Sequence, residues 1–103
     1  MSVQIIQLLE DMETELKVLE CWQTMPPSVE AMSSEVPFCM DSMPFSQWLQ
    51  WLFIPRVRAI VEQGGALPKG ANIKPYAEEA LMVEQVSSEK LLKLVEQFDV
   101  LMK

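Results

Sequence analysis

The chain has 103 residues, of which 50% are hydrophobic and 22% are charged, and its formal net charge at pH 7 is −7. This length allows one hydrophobic core, and this balance is typical of a folded protein rather than a disordered one. An acidic protein is a poor direct binder of nucleic acid, because neutralising phosphates requires a dense basic surface. The composition therefore predicts a single domain over residues 1–103 that suits a basic partner.

The charge is concentrated in the first half of the chain. Up to Pro55, eight acidic residues accompany a single base, Lys17, whereas beyond Pro55 seven acidic residues balance seven basic ones. The acidic first half is either a solvated helix face or a docking surface for a basic partner.

Several kinds of chemistry are missing from the sequence. There is no histidine, and the three glycines form no phosphate-binding loop. Cys21 and Cys39, without a histidine, make no zinc pattern. We expect no catalytic residues, no metal and no cofactor. The first residues lack a basic leader, and no run approaches the roughly 20 apolar residues of a membrane span, so we expect a cytoplasmic protein with reduced cysteines.

Residues 2–22 read as the first helix, because apolar residues recur there at spacings of three and four. Glu15 and three other acids fall on the opposite face, which we expect to be solvated. Residues 23–41 contain three prolines and no helical period, and they predict a long loop with one helical turn around residues 29–32. Loops of this length are often functional, or they pack down through their own side chains.

The central feature is a second long helix. It is predicted to begin near Ser42 or Met43, with Asp41 or Ser42 as its N-cap. Gly64 and Gly65 end it, and this pair suits a left-handed C-cap.

Pro55 interrupts the pattern of this helix. Before it, the apolar residues share one face while Ser46 and Gln50 lie on another; beyond it, the apolar face is displaced by about a third of a turn. Proline removes the hydrogen bond to the Trp51 carbonyl and clashes with the preceding turn, at about 3 kcal/mol. We therefore predict a kink or break at Pro55, which also turns Arg56 away from the first apolar face.

Two more helices complete the predicted fold. A short third helix begins with Pro75 in its first turn and reaches about Val83. A fourth begins after Ser87 or Ser88 and leaves Asp99 outside its apolar stripe. The sequence thus predicts an all-α, single-domain bundle of four main helices with a Pro-kinked central second helix.

Residues around the start of the second helix and Pro55 are candidates for binding a partner or ligand. Trp48 is expected in the core, and Trp51 either in the core or on a recognition surface. If Arg56 is buried, it needs an acid or a carbonyl as its partner, and Asp41 is a candidate. Arg56 then serves either in a structural ion pair or, alternatively, in a ligand contact. The full candidate set is Asp41, Trp48, Gln50, Trp51, Arg56 and Tyr76.

Several motifs resemble the YqcC-like family of small bacterial proteins. They are Pro37-Phe38, Met40-Asp41-Ser42-Met43, Trp48-Leu49-Gln50-Trp51, Ile54-Pro55-Arg56, Leu67-Pro68, Pro75-Tyr76 and Ala80-Leu81. The resemblance implies an all-α bundle and a genomic association with a tRNA pseudouridine synthase, and it brings no catalytic residues.

Two functions stay open. The first is a non-catalytic interaction or accessory module whose partner has a basic surface, with a tRNA pseudouridine synthase as a candidate; we expect no nucleic acid or membrane partner, and self-association stays open. The alternative is a small-molecule binder with a pocket at the Pro55 kink. Trp48, Trp51, Phe53 and Tyr76 would wall that pocket, and Arg56 would hold an anion.

Overall fold

Five helices form the part of the chain that the computed structural model describes, residues 2–67, 69–70 and 72–102. Each of the four long helices corresponds to a helix predicted from the sequence, so the all-α bundle of four main helices is confirmed. The helices are α1 (Ser2–Val18), α2 (Val29–Met32), α3 (45–62), α4 (Lys74–Val83) and α5 (Glu89–Leu101), with a 3-10 turn at Pro37–Cys39. None of these described helices has the length and apolar character needed to cross a bilayer.

One cluster of buried side chains joins the four long helices. α1 and α5 lie side by side and antiparallel, since Glu15 near the end of α1 bonds Ser88 at the start of α5. The side chains with at most 2% exposure in this cluster are Ile5, Leu9, Met12, Leu16, Phe45, Leu49, Ile54, Ala77, Leu81, Leu91 and Val95. Cys39, Met43 and Leu52 form a smaller cluster on the flank of α3.

The change of apolar face predicted at Pro55 is present and takes the form of a π-turn. α3 consists of an α-helical turn, a π-turn over Leu49–Phe53 and a further α-helix from Ile54. Within the π-turn the Ile54 N–H donates to the Leu49 carbonyl, five residues back. A π-turn holds one extra residue, which shifts everything after it by about 100°. The helix therefore continues through Pro55 with both apolar faces on the core, and Arg56 is exposed.

Three helices end in a left-handed residue. Glu20, Gly64 and Gln85 have φ of 60°, 70° and 62° and follow α1, α3 and α4. In each case two backbone bonds close the end in a Schellman motif, as where the Cys21 N–H donates to the Leu16 carbonyl at 2.9 Å. The C-cap predicted at Gly64 is confirmed. The predicted end of the first helix at residue 22 is wrong, because the turn at Glu20 stops it.

Replacing Gln85 with glycine should stabilise the fold. Left-handed backbone is unfavourable for a residue with a Cβ, so Gln85→Gly is expected to raise the free energy of unfolding by about 0.5–1 kcal/mol, measured by urea denaturation. Gln63→Gly is the matched control, since Gln63 is also an exposed glutamine at a helix end but has φ of −86°. It should lose stability, and equal effects at both sites would contradict the argument.

The start of α3 is held by a distant acid. The helix begins at Phe45 with Pro44 in the N-cap position, where no side-chain cap is made, so the predicted start and the predicted Asp41 or Ser42 cap are wrong. The Ser46 N–H donates to Glu84 Oε1 at 3.0 Å, and the Ser46 hydroxyl donates to Glu84 Oε2 at 2.8 Å. Glu84 thus supplies the acceptor that the local sequence lacks.

The start of α4 is held in the same way by α5. Asp99 was predicted to lie outside the apolar stripe, but it is buried. Its carboxylate accepts the Ile73 N–H at 2.9 and 3.0 Å and the Lys74 N–H at 2.9 Å. Because Pro75 has no N–H, this one side chain satisfies most of the free donors of the first turn.

Two further side-chain contacts join distant parts of the chain. Ser88, the N-cap of α5, accepts the Leu91 N–H and donates to Glu15 Oε2 at 2.8 Å. Gln50 exchanges two bonds with the Gln23 backbone, at 2.8 and 2.7 Å. Glu15, Ser46 and Gln50 were all predicted on polar outer faces and are buried instead, because each has a partner on another part of the chain.

Removing the Asp99 carboxylate should destabilise the bundle. Asp99→Ala leaves two buried backbone donors without an acceptor, and we expect a loss of about 2–3 kcal/mol in the free energy of unfolding, measured by urea denaturation. Glu96→Ala is the control: Glu96 lies on the same helix but is exposed and bonds only Lys74, so stability should change little. A similar loss of stability in both variants would show that the hydrogen bonds to Asp99 contribute no more to the free energy of unfolding than the exposed Glu96 does.

Candidate functional site

A strained turn precedes α3. Phe38 and Cys39 have φ of 59° and 50°, which is left-handed backbone in two successive residues other than glycine. Such residues cost on the order of 1–3 kcal/mol each and persist where packing fixes them. Here the Phe38 ring stacks on Tyr76 at 4.3 Å and meets the Trp48 ring edge-on at 5.0 Å, while Cys39 is buried. The turn is thereby held against α4.

Aromatic rings continue from this turn into the core. Phe45 stacks on Trp48 with 5.6 Å between ring centroids. Phe53 lies 5.2 Å from Trp48 and 4.8 Å from Phe98, which belongs to α5. The half-buried rings near the surface therefore rest on rigid packing.

A groove with a volume of 720 Å³ opens beside these rings, between residues 40–45 and one face of α4. We call it the α4 groove. Two of its apolar side chains are largely open to solvent, Met40 at 52% and Val83 at 84% exposure. The lining residues are Met40, Asp41, Ser42, Met43, Pro44, Phe45, Tyr76, Glu79, Ala80, Val83 and Glu84.

The charged side chains of the α4 groove are all acidic. Asp41 stands on one wall and accepts the Ser34 hydroxyl at 2.6 Å; Glu79 stands exposed on the other wall. Glu84, at the end of α4, also lines the groove and has both oxygens bonded to Ser46. Within the described part of the chain, no Lys or Arg lines the groove. An apolar floor with an acidic rim favours an occupant that carries both apolar and basic groups.

Two groups influenced by Glu84, the Tyr76 hydroxyl and the Cys21 thiol, have raised pKa values. Burial raises the pKa of Tyr76, and the charge of Glu84 raises it further. Burial also raises the pKa of the Cys21 thiol, with a further contribution from Glu84 that a hydrogen bond with Ser46 partly offsets. Both cysteines are free thiols. Over the described ranges of the chain, no three His, Cys, Asp or Glu side chains are grouped to hold a metal ion.

Comparison with known proteins identifies the family. The profile of the family DUF446, described as tRNA pseudouridine synthase C, matches residues 4–101. An uncharacterised protein of Haemophilus influenzae is 49% identical over 81 residues, which are 79% of this chain and 76% of that one. The solution NMR structure of YqcC from Escherichia coli has a TM-score of 0.84 and 29% identity, covering 98% of this chain and 86% of YqcC. The chain belongs to the YqcC-like family.

A second kind of relative is a longer chain. A Pectobacterium carotovorum protein named tRNA pseudouridine synthase C is 42% identical over 66 residues. Those residues are 64% of this chain but 18% of the Pectobacterium protein. A segment similar to this YqcC-like chain thus occurs inside a much longer protein of that name.

In this YqcC-like chain, three of the six predicted binding residues lie together. Asp41 and Tyr76 line the α4 groove, and Trp48 lies beneath it against Phe38 and Phe45.

The other three predicted residues lie elsewhere. Gln50 is buried and ties α3 to the Gln23 backbone. Trp51 is half-buried, and its indole N–H is enclosed without a hydrogen-bond partner among the described residues. Arg56 is exposed and makes no ion pair with Asp41, whose described partner is Ser34.

The pocket predicted at Pro55 does not coincide with the α4 groove. Of its five proposed residues, Tyr76 alone lines that groove. Phe53 is 7% exposed and packs between Trp48 and Phe98, so it fills the core instead of walling an opening.

The sequence reasoning missed Met40, Glu79 and Val83 as site residues. The sequence did contain an indication for Val83. The apolar residues of α4 spread around more of the helix than the single stripe that packing against one core requires. Nothing local pointed to Met40, because its wall exists only where the turn before α3 meets α4.

The raised pKa of Cys21 predicts a loss of stability in alkali. Because the folded state holds the thiol proton more tightly, stability is fully present below the unfolded thiol pKa, ordinarily 9.0, and is lost as pH rises through the folded value. We expect the stability of the parent chain to fall more steeply than that of Cys21→Ala as the pH rises above 9.0, measured as melting temperature against pH. Cys39→Ala is the control, and an unchanged alkaline slope in Cys21→Ala would refute the assignment.

Proposed function

We propose that this chain is a non-catalytic protein-interaction module that acts with a tRNA pseudouridine synthase. The observation that carries this proposal is the α4 groove, a preformed apolar surface whose charged rim residues are all acidic. Sites that recognise proteins combine such an apolar floor with a polar rim.

The identity of the partner is supported by the relatives. The family carries the description tRNA pseudouridine synthase C, and a similar segment makes up 18% of a Pectobacterium protein of that name. A segment that works within such a long chain in one organism suits a separate subunit that binds the corresponding enzyme in another. The acidic rim also suits a protein that handles RNA, since such proteins carry basic surfaces.

An accessory role agrees with the use of the buried and half-buried acids. Both carboxylate oxygens of Glu84, which is half-buried, and of Asp99 accept serine or backbone donors at helix starts, and one oxygen of Glu15 accepts the Ser88 hydroxyl. These carboxylates have structural roles at the helix starts. We therefore assign the RNA chemistry to the partner.

Direct binding to the tRNA pseudouridine synthase of the same organism tests the proposal. We expect titration calorimetry with the two purified proteins to show a complex that weakens as salt increases, because an acidic rim meets a basic surface. The chain by itself should not retard tRNA in a gel. An unrelated acidic protein of similar charge serves as the control.

Absence of any complex, at both low and moderate salt, would refute the partnership. Retardation of tRNA by the chain alone would refute the assignment of RNA binding to the enzyme, because the RNA would then be bound without it.

A further inference from the structure

α4 presents two apolar faces, and the described residues cover the second of them only in part, since Tyr76 and Ala80 touch the core at its inner edge. Ile73, Ala77 and Leu81 recur every four residues and are at most 7% exposed, in contact with the core. A second stripe, Tyr76, Ala80 and Val83, faces the groove and ends in a valine that is 84% exposed. Spacings of three and four are those by which one helix packs against another.

The opposite wall matches this stripe. Met40 and Pro44 are exposed, and Phe45 is buried at the floor. Because the strained turn at Phe38 and the bonds from Glu84 to Ser46 fix this wall, the groove needs little rearrangement to receive an occupant. α4 has 10 residues and is about 15 Å long, so an occupant lying along it would make contacts over two to three helical turns.

The charges that line the groove favour an occupant with a positive charge. Asp41 and Glu79 stand on opposite walls, and none of the described lining residues is basic. A second copy of this chain is disfavoured, because its net charge is also −7 and the same acids would face each other.

We propose that the α4 groove binds a basic amphipathic helix of the partner, with apolar side chains against Tyr76, Ala80 and Val83 and with Lys or Arg side chains toward Asp41 and Glu79. This inference rests on the proposed function and specifies how the partner is held. The mode is the helix-in-groove recognition of an amphipathic segment.

A labelled peptide tests the groove without requiring the enzyme. The probe is an amphipathic helical peptide of about 16 residues with leucines on one face and lysines on both flanks, followed by fluorescence anisotropy. Its charge-reversed counterpart carries glutamates in place of the lysines.

A matched pair of variants locates the binding. Val83→Lys and Met82→Lys add the same charge to the same helix at exposed positions, 84% and 77%, but Met82 does not line the groove. We expect Val83→Lys to weaken binding of the lysine peptide at least about tenfold and Met82→Lys to change it less than about twofold. Glu79→Lys should weaken the lysine peptide about two- to fivefold and strengthen binding of the charge-reversed peptide.

Each outcome decides one part of the inference. Equal effects of Val83→Lys and Met82→Lys, or no binding of the lysine peptide to the parent chain, would overturn the groove as the docking site. Equal binding of the two peptides to the parent chain would overturn the basic occupant.

The enzyme separates this inference from the proposed function. If the synthase binds the parent chain and the Val83→Lys variant equally, the partnership stands and the groove assignment fails. If the synthase binds neither protein while the lysine peptide still discriminates between Val83→Lys and Met82→Lys, the partnership fails and the groove is retained. Loss of synthase binding in Val83→Lys alone supports both.

Discussion

Hydrogen bonds between buried or half-buried side chains and the starts of neighbouring helices hold this bundle in one arrangement. Glu15 of α1 holds the cap of α5, Asp99 of α5 holds the start of α4, and Glu84 after α4 holds the start of α3. Gln50 of α3 bonds the Gln23 backbone, which follows α1, so that the four contacts form a closed ring of bonds around the bundle. Apolar packing tolerates small shifts between helices, whereas an unpaired buried N–H or carboxylate is costly. The ring therefore fixes the order and register of the four long helices.

The α4 groove depends on the same contacts. Glu84 both anchors α3 and lies in the groove, so the two walls are joined by the bonds that start the central helix. The stack of Phe38 on Tyr76 joins them a second time and holds the left-handed backbone before α3 in place. A rigid apolar surface with an acidic rim can select a basic partner without first having to fold around it, which favours recognition.

Part of this site could be predicted from the sequence. Asp41, Trp48 and Tyr76 were chosen from the central segment and the family motifs, and the structure places all three in or under the groove. A buried Arg56 would need an acid or carbonyl partner, but the π-turn places Arg56 on the exposed side of α3. The groove itself was beyond sequence reasoning, because its walls come from segments more than 30 residues apart.

The sequence by itself determined the helical class, the four long helices, the end at Gly64 and the change of face near Pro55, and it narrowed the start of α5 to Ser87 or Ser88. Periodicity and local backbone chemistry act over a few residues, which is why these features are visible in the sequence. Tertiary structure alone decided which polar residues are buried. Asp99 looks like an exposed helix acid until α4 brings its N–H groups beside it, and the bonded side chains of the ring lie 25 to 73 residues from their partners. Burial of a charge is tolerated only where such a partner is present, and a local sequence pattern does not reveal a partner that lies far away in the chain.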